Sequence, residues 1–263
     1  MVQIFSHLQD LRTRGKTALM PFITAGDPDL SATAELILAL DQAGCDMLEL
    51  GFPYSDPIAD GPVIQAAYSR ALHRGIRVQQ IFDLIAGLRG KIKMPVVAMV
   101  SYSIIFRHGE EEFVKRVADA GFAGLIVPDL PIEEAEQLVE LCRRADLGYC
   151  PLITPLTDAQ RGALVAQRAT GFVYFVSVVG ITGERADFTK DLKERIAQFR
   201  DLAPEVPICL GFGISTREHV EVLSPLVDGI IIGSAIVRRI EANIGLGQPA
   251  IVNAVKEFVQ SLR

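Results

Sequence analysis

The stretch LELGFPYSDPIADGP, residues 48–62, places Glu49 inside a run otherwise suited to a buried β-strand, then supplies Asp56 and Asp60 in a loop broken by proline and glycine. Burying an ionised group is expensive unless it is paired or hydrogen-bonded, so what Glu49 does depends on the fold that this strand joins. Seven similar apolar runs recur along the chain: ALMPFITAG (18–26), PVVAMVSY (95–102), GLIVPDLP (124–131), GYCPLITP (148–155), FVYFVSVVG (172–180), PICLGFG (207–213) and DGIIIGSAIV (228–237). Each is too short for a helix and has the near-continuous apolar character of a strand covered on both faces. Amphipathic segments such as 29–44, 109–121, 132–145 and 216–226 lie between them, several opening at acidic or threonine caps and ending at glycine. Eight strand–helix units predict an α/β fold, a (β/α)8 barrel of the TIM type forming one domain over 1–263, with an open doubly wound sheet as the alternative. Two additions stand out: an N-terminal amphipathic helix near 4–14, suited to covering the barrel floor, and an extra helix over 78–91 before strand three.

In such a barrel the chemistry sits at the carboxyl ends of the strands. Period-two alternation in MLELG turns Leu48 and Leu50 towards the helices and Met47, Glu49 and Gly51 into the barrel. Glu49 then faces the mouth, where apolar walls raise a carboxyl group's proton affinity into the range useful for acid–base catalysis. The alternative is a core ion pair, but no predicted strand interior carries a lysine or arginine to complete one.

Composition narrows the function classes. The 263 residues carry a formal net charge of -6 with no lysine- or arginine-rich run, which gives no electrostatic footprint for nucleic acid or an anionic membrane. Cys45, Cys142, Cys150 and Cys209 lack CxxC spacing and read as core residues in a reducing cytoplasm. Residues 1–16 lack the apolar centre of a signal peptide, and no run approaches the length of a membrane span. Lysines fall before strands or in helical and loop segments, which disfavours imine catalysis, and His7, His73, His108 and His219 are too dispersed to bind a catalytic metal. Neither GxGxxG nor GxxxxGK[ST] leads into a predicted helix.

Glycines then mark a second locus. VVGITG (178–183), GFGIS (211–215) and GSAIV (233–237) follow strands six, seven and eight, where backbone amides and a helix start at Gly233–Ser234 suit a phosphate group. Carboxylate acid–base chemistry on an organic phosphate is the reaction class that remains.

The segments PFITAGDP (21–28), ELGFPYSDPIADGP, IVPDLP (126–131), VGITG, GFGIS and GSAIV together closely resemble the tryptophan synthase alpha subunit family over essentially the whole chain. The resemblance implies a lyase of L-tryptophan biosynthesis, in the cytoplasm or a plastid stroma, that cleaves indole-3-glycerol phosphate to indole and glyceraldehyde 3-phosphate. It implies no cofactor in this chain, and a beta subunit that carries pyridoxal phosphate and receives the indole in an alpha2beta2 heterotetramer. By the same resemblance Glu49 moves the protons and Asp60 holds the indole N–H, while Phe22, Tyr174 and Phe212 line the indole pocket. Gly183, Gly211, Gly213, Gly233 and Ser234 match the phosphate site, Thr182 and Asp129 match loop-closure positions, and Tyr54 and Asp56 fall on a loop expected to meet the partner. Ser101 and Ser103 depart from the tyrosine and asparagine of typical members, and Val178 stands where some members have arginine. A stand-alone lyase and a catalytically silent allosteric barrel are the rival classes; indole release with and without a beta subunit tests the first, and substrate turnover by the complex tests the second.

Overall fold

The computed structural model describes residues 2–57, 60–176, 185–211 and 213–263, with the side chains of all of these except 185–191. Its strands are β1 (Ala18–Thr24), β2 (Leu48–Gly51), β3 (Val96–Met99), β4 (Gly124–Ile126), β5 (Gly148–Tyr149), β6 (Leu152–Ile153), β7 (Val173–Val176), β8 (Ile208–Gly211) and β9 (Gly229–Ile232). Every described ladder is parallel, in the order β5-β4-β3-β2-β1-β9-β8-β7-β6. Two of these strands are halves of the segment expected as one. Pro151 has no amide to donate, and around it the chain changes partner: the Cys150 N–H donates to Leu125 O of β4, and Pro151 O accepts from the Tyr174 N–H of β7. That segment joins the ends of the sheet, so eight strand positions close a barrel.

Alternation divides the core into two layers. Ile23, Leu48, Leu50, Ala98, Leu125 and Leu210 point outward into one apolar cluster with the helices, while Met20, Phe22, Met47, Val97, Tyr174 and Ile231 fill the barrel. The helix Gln3–Thr13 closes the floor as expected, contributing Ile4, Leu8 and Leu11 to the inner cluster. The four cysteines are buried and unbridged, Cys45 and Cys142 in the outer layer and Cys150 and Cys209 in the inner one. After β2 the chain forms two helices, Pro62–His73 and Val78–Leu88, before β3, so the extra helix is present and ends three residues earlier than expected. No helix among the described residues is long and apolar enough to cross a membrane.

Two glycines make the floor possible. A Cβ on Gly124 would lie 2.4 Å from Gly148 O and 2.5 Å from Ile4 Cδ1, so strands and plug meet where neither strand can carry a side chain. Gly124→Ala should therefore lower stability by about 1–3 kcal/mol through overpacking. Thermal denaturation checks this, and an unchanged melting temperature would contradict the plugged floor.

Candidate active site

Glu49 lies mid-strand on β2, 1% exposed and turned inward. Its register neighbours are Phe22 on β1 and Val97 on β3, so both flanks are apolar. Burial raises its pKa to about 8, the negative charge of Asp60 adds to the rise, and no cation among the described residues acts on it. Oε2 has no hydrogen-bond partner among the described residues. This environment is that of a carboxyl group kept uncharged at neutral pH, not of an ion pair.

Asp60 reaches the same region from a different scaffold. The chain leaves the barrel at Phe52, whose N–H donates to Met99 O and whose ring packs against Phe82, Phe113 and Phe122 with centroids 5.8–6.3 Å apart. It returns at Gly61, the N-cap of the helix Pro62–His73, with Pro62 at the first helical position, where its missing N–H costs nothing. The Gln65 side-chain amide donates to the carbonyls of Pro57 (3.2 Å) and Asp60 (2.8 Å), holding the end of the loop against the helix. Asp60 is half-buried; desolvation pushes its pKa up to about 6, and the charge on Asp129 adds to this. The two carboxyl groups thus differ at neutral pH, Glu49 mainly protonated and Asp60 mainly ionised.

A cavity of about 440 Å³ opens beside Asp60, lined by Phe52, Tyr54, Asp60, Tyr68, Met99 and Asp129 among others. Glu49 lies one layer deeper, two residues before Gly51 on the same face of β2. On the rim, Asp129 accepts from the Ser101 hydroxyl (2.6 Å) and the Tyr102 N–H (2.8 Å). Ser101 and Ser103 share a hydrogen bond of 2.8 Å, and the Ser103 hydroxyl donates to the Tyr54 hydroxyl at 2.9 Å. The two serines that depart from the usual pattern therefore tie together the loops after β2, β3 and β4. Asp56 is exposed and accepts from Ser55.

Phe22 is buried at the centre of the mouth: its ring would meet a Cβ on Gly51 at 2.6 Å, and its Cβ lies 3.7 Å from the corresponding position on Gly233. Tyr174, on β7, rests its hydroxyl where a Gly211 side chain would stand, 2.2 Å from that Cβ position. The missing side chain at Gly211 therefore makes room for Tyr174. Gly233 caps the helix Ser234–Asn243, whose first internal bonds run from the Ile236 and Val237 amides to Gly233 O. The amides of Ser234 and Ala235 precede those bonds at the helix N-terminus, an arrangement suited to an anion. Gly213 is exposed with φ +76°. Thr182, Gly183, Phe212 and Val178 lie outside the described residues.

Sequence reasoning did not single out Tyr68 or the Ser101–Asp129 contact. Tyr68 belongs to the stripe Ile64, Ala67, Tyr68, Ala71, which reads as ordinary core spacing. The usable signal was its position two turns after Asp60, on a helix leaving the barrel mouth.

The family model for the tryptophan synthase alpha chain matches residues 8–262. The chain belongs to the tryptophan synthase alpha chain family. It is 45% identical to the tryptophan synthase alpha chain of Rhodopirellula baltica, an alignment covering 100% of this chain and 98% of the relative. The crystal structure of tryptophan synthase subunit alpha from Legionella pneumophila superimposes with a TM-score of 0.89 at 32% identity, covering 100% of this chain and 97% of that one. A chain of the tryptophan synthase a2b2 complex from Pyrococcus furiosus does so with a TM-score of 0.86 at 34% identity, covering 93% and 97%. The role is that of the alpha subunit in tryptophan biosynthesis, and its chemistry is the alpha reaction of tryptophan synthase.

Glu49 binds its proton more tightly folded than unfolded, so ionising it opposes folding increasingly as pH rises from the ordinary carboxylate range to about 8. Glu49→Gln should therefore match the parent's melting temperature near pH 4 and exceed it progressively up to pH 8; a constant difference across that range would contradict the buried neutral acid. At Gly233 the nearest described atoms to a new Cβ belong to Phe22, at 3.7–3.8 Å, an ordinary contact distance. Gly233→Ala should fold normally yet raise the KM for a phosphate-bearing substrate more than Ser234→Ala does, which steady-state kinetics would check.

Proposed function

We propose that Glu49 and Asp60 carry the alpha reaction, the retro-aldol cleavage of indole-3-glycerol phosphate to indole and glyceraldehyde 3-phosphate. The observation behind this assignment is the pair of carboxyl groups with opposite protonation at neutral pH in one apolar mouth. Protonated Glu49 donates to indole C3, and the positive charge that develops on the ring nitrogen is stabilised by ionised Asp60 at the N–H. Glu49, now a carboxylate, removes the proton from the hydroxyl on the carbon attached to C3. That oxygen becomes the aldehyde oxygen, the carbon–carbon bond breaks, and its electron pair restores the aromatic indole. Glu49 ends the cycle protonated, so one carboxyl group serves both transfers, and the ring acts as the electron sink.

Phe22, Tyr174 and Phe212 would hold the indole. The helix start at Gly233 and Ser234, with Gly183, Gly211 and Gly213, would hold the phosphate. Thr182 and Asp129 take the loop-closure role in this reading. Tyr54 and Asp56, on the loop that also carries Asp60, would meet a beta subunit bearing pyridoxal phosphate in a cytoplasmic alpha2beta2 assembly. The Pyrococcus furiosus complex is described as an a2b2 complex with mutual activation, which supports a partner for this chain.

Glu49→Gln should lower turnover by about 10²–10⁴-fold with the fold intact by circular dichroism, and Asp60→Asn should lower it in the same direction. In the parent, kcat/KM should fall below about pH 6 as Asp60 takes up a proton and above about pH 8 as Glu49 loses one. Removing the charge of Asp60 should move the alkaline limb to lower pH. Near-parental turnover by Glu49→Gln would sink the assignment. Assays of indole release with and without beta subunit test the partner.

A further inference from the structure

The groups assigned so far leave one reacting atom without a donor. The hydroxyl on the cleaved carbon gives its proton to Glu49, and Asp60 in its working form only accepts. Two hydroxyls at this wall, those of Tyr68 and Thr24, have no assigned task. Tyr68, on the helix Pro62–His73, is 3% exposed and lines the same cavity as Asp60. Its hydroxyl stands 2.9 Å from the position a Cβ on Gly51 would take and makes no hydrogen bond to any described residue. Thr24 is the register partner of Gly51 on β1, is 1% exposed, and its Oγ1 likewise has no partner among the described residues. Both hydroxyls therefore flank one residue, two positions beyond Glu49 on the inward face of β2.

A buried hydroxyl without a partner is unfavourable, and the unpartnered Thr24 Oγ1 and Glu49 Oε2, with the Tyr68 hydroxyl on the cavity wall beside them, point to polar atoms brought by a ligand. We infer that Thr24 and Tyr68 are substrate-contacting residues of the alpha site, a pair of hydroxyls that receives the hydroxyl on the carbon cleaved from the indole ring. Tyr68 is suited to donate: burial and the charges of Asp60 and Glu49 hold its phenol well above the ordinary tyrosine range, so it keeps its proton wherever the enzyme works. A phenol O–H on the reacting oxygen would fix its lone pairs while Glu49 takes the proton, and would favour the carbonyl as it forms. Gly51 is what admits this arrangement, because a side chain there would displace both the Phe22 ring and the Tyr68 hydroxyl. The inference rests on the assignment of Glu49 and Asp60.

The test uses the full chain assayed with a beta subunit, two substitutions that remove a hydroxyl and little else, and two ligands. Tyr68→Phe and Thr24→Val are compared for kcat/KM with indole-3-glycerol phosphate and for affinity towards 3-(indol-3-yl)propyl phosphate, which keeps ring and phosphate but lacks both hydroxyls. Each variant should lose about tenfold in kcat/KM, the scale of one or two hydrogen bonds, with the affinity for the deoxy analogue unchanged. Thr24→Ser, which keeps the hydroxyl, should lose clearly less kcat/KM than Thr24→Val, and Thr24→Val should melt no lower than the parent because its hydroxyl has no partner among the described residues to lose; a Thr24→Ser loss equal to that of Thr24→Val would overturn the inference. Equal weakening of substrate and analogue would reduce the residues to packing and overturn the inference. So would parental kcat/KM in either Tyr68→Phe or Thr24→Val. Turnover by Glu49→Gln in the same series would instead overturn the reading on which this one rests, so the two failures are distinguishable.

Discussion

A carboxyl group enclosed by apolar barrel wall, with no cation among the described residues to offset its charge, is the constraint from which the rest of the site follows. Glu49 is held in the neutral form by where β2 puts it, and water excluded from that layer cannot restore its ordinary acidity. Its partner in the mouth has to differ, and it does so by scaffold. Asp60 stands on a loop at the edge of the barrel, half in solvent, one residue before the cap of a helix. Depth in one closed sheet thus separates two chemically similar groups into an acid and an anion.

Such a separation survives only if the supports are stiff. The loop bearing Asp60 starts from a phenylalanine locked among three other rings and ends in a proline-initiated helix. That helix is fixed in turn by Arg70, which makes two 2.8 Å contacts with buried Asp27 after β1 and one of 2.8 Å with Glu241 on the helix Ser234–Asn243. One guanidinium therefore links the carboxylate side of the mouth to the glycine-rich side, and its fork geometry resists rotation better than a single charge would. On the rim, Ser101 and Ser103 bridge neighbouring loops with short side chains that lose little freedom when ordered.

Much of this was legible in the sequence because strands have a strict period. Once MLELG was read as a parallel barrel strand, Glu49 had to face inward, and the structure places it there with Met47 beside it in the inner layer. The glycines at the ends of β8 and β9 were legible as places of close approach, but what approaches was not: Gly211 accommodates Tyr174 from within the barrel, a contact across strands with no local signature. Pro151 carried a signal in plain view, since a missing amide rarely sits mid-strand, and it marks where the strand changes partner. Tyr68 stayed hidden because a tyrosine on an apolar helical stripe looks the same whether its hydroxyl meets core, solvent or substrate. Its place over Gly51, in the wall of the cavity that Asp60 lines, emerges only in three dimensions.

The cysteines have a use that none of the chemistry requires. All four are enclosed, and burial pushes Cys45 and Cys142 up to about 12 and raises Cys150 and Cys209 as well. A thiol reagent therefore finds no thiolate in the intact molecule, and its rate of incorporation becomes a clock for structural opening. The clock has two hands: Cys45 and Cys142 report the helices lifting from the strands, while Cys150 and Cys209 report the ring itself coming apart. Cys150 adjoins the proline where that ring is joined, so its labelling relative to Cys209 would reveal whether the barrel breathes at its seam or dissolves as a whole.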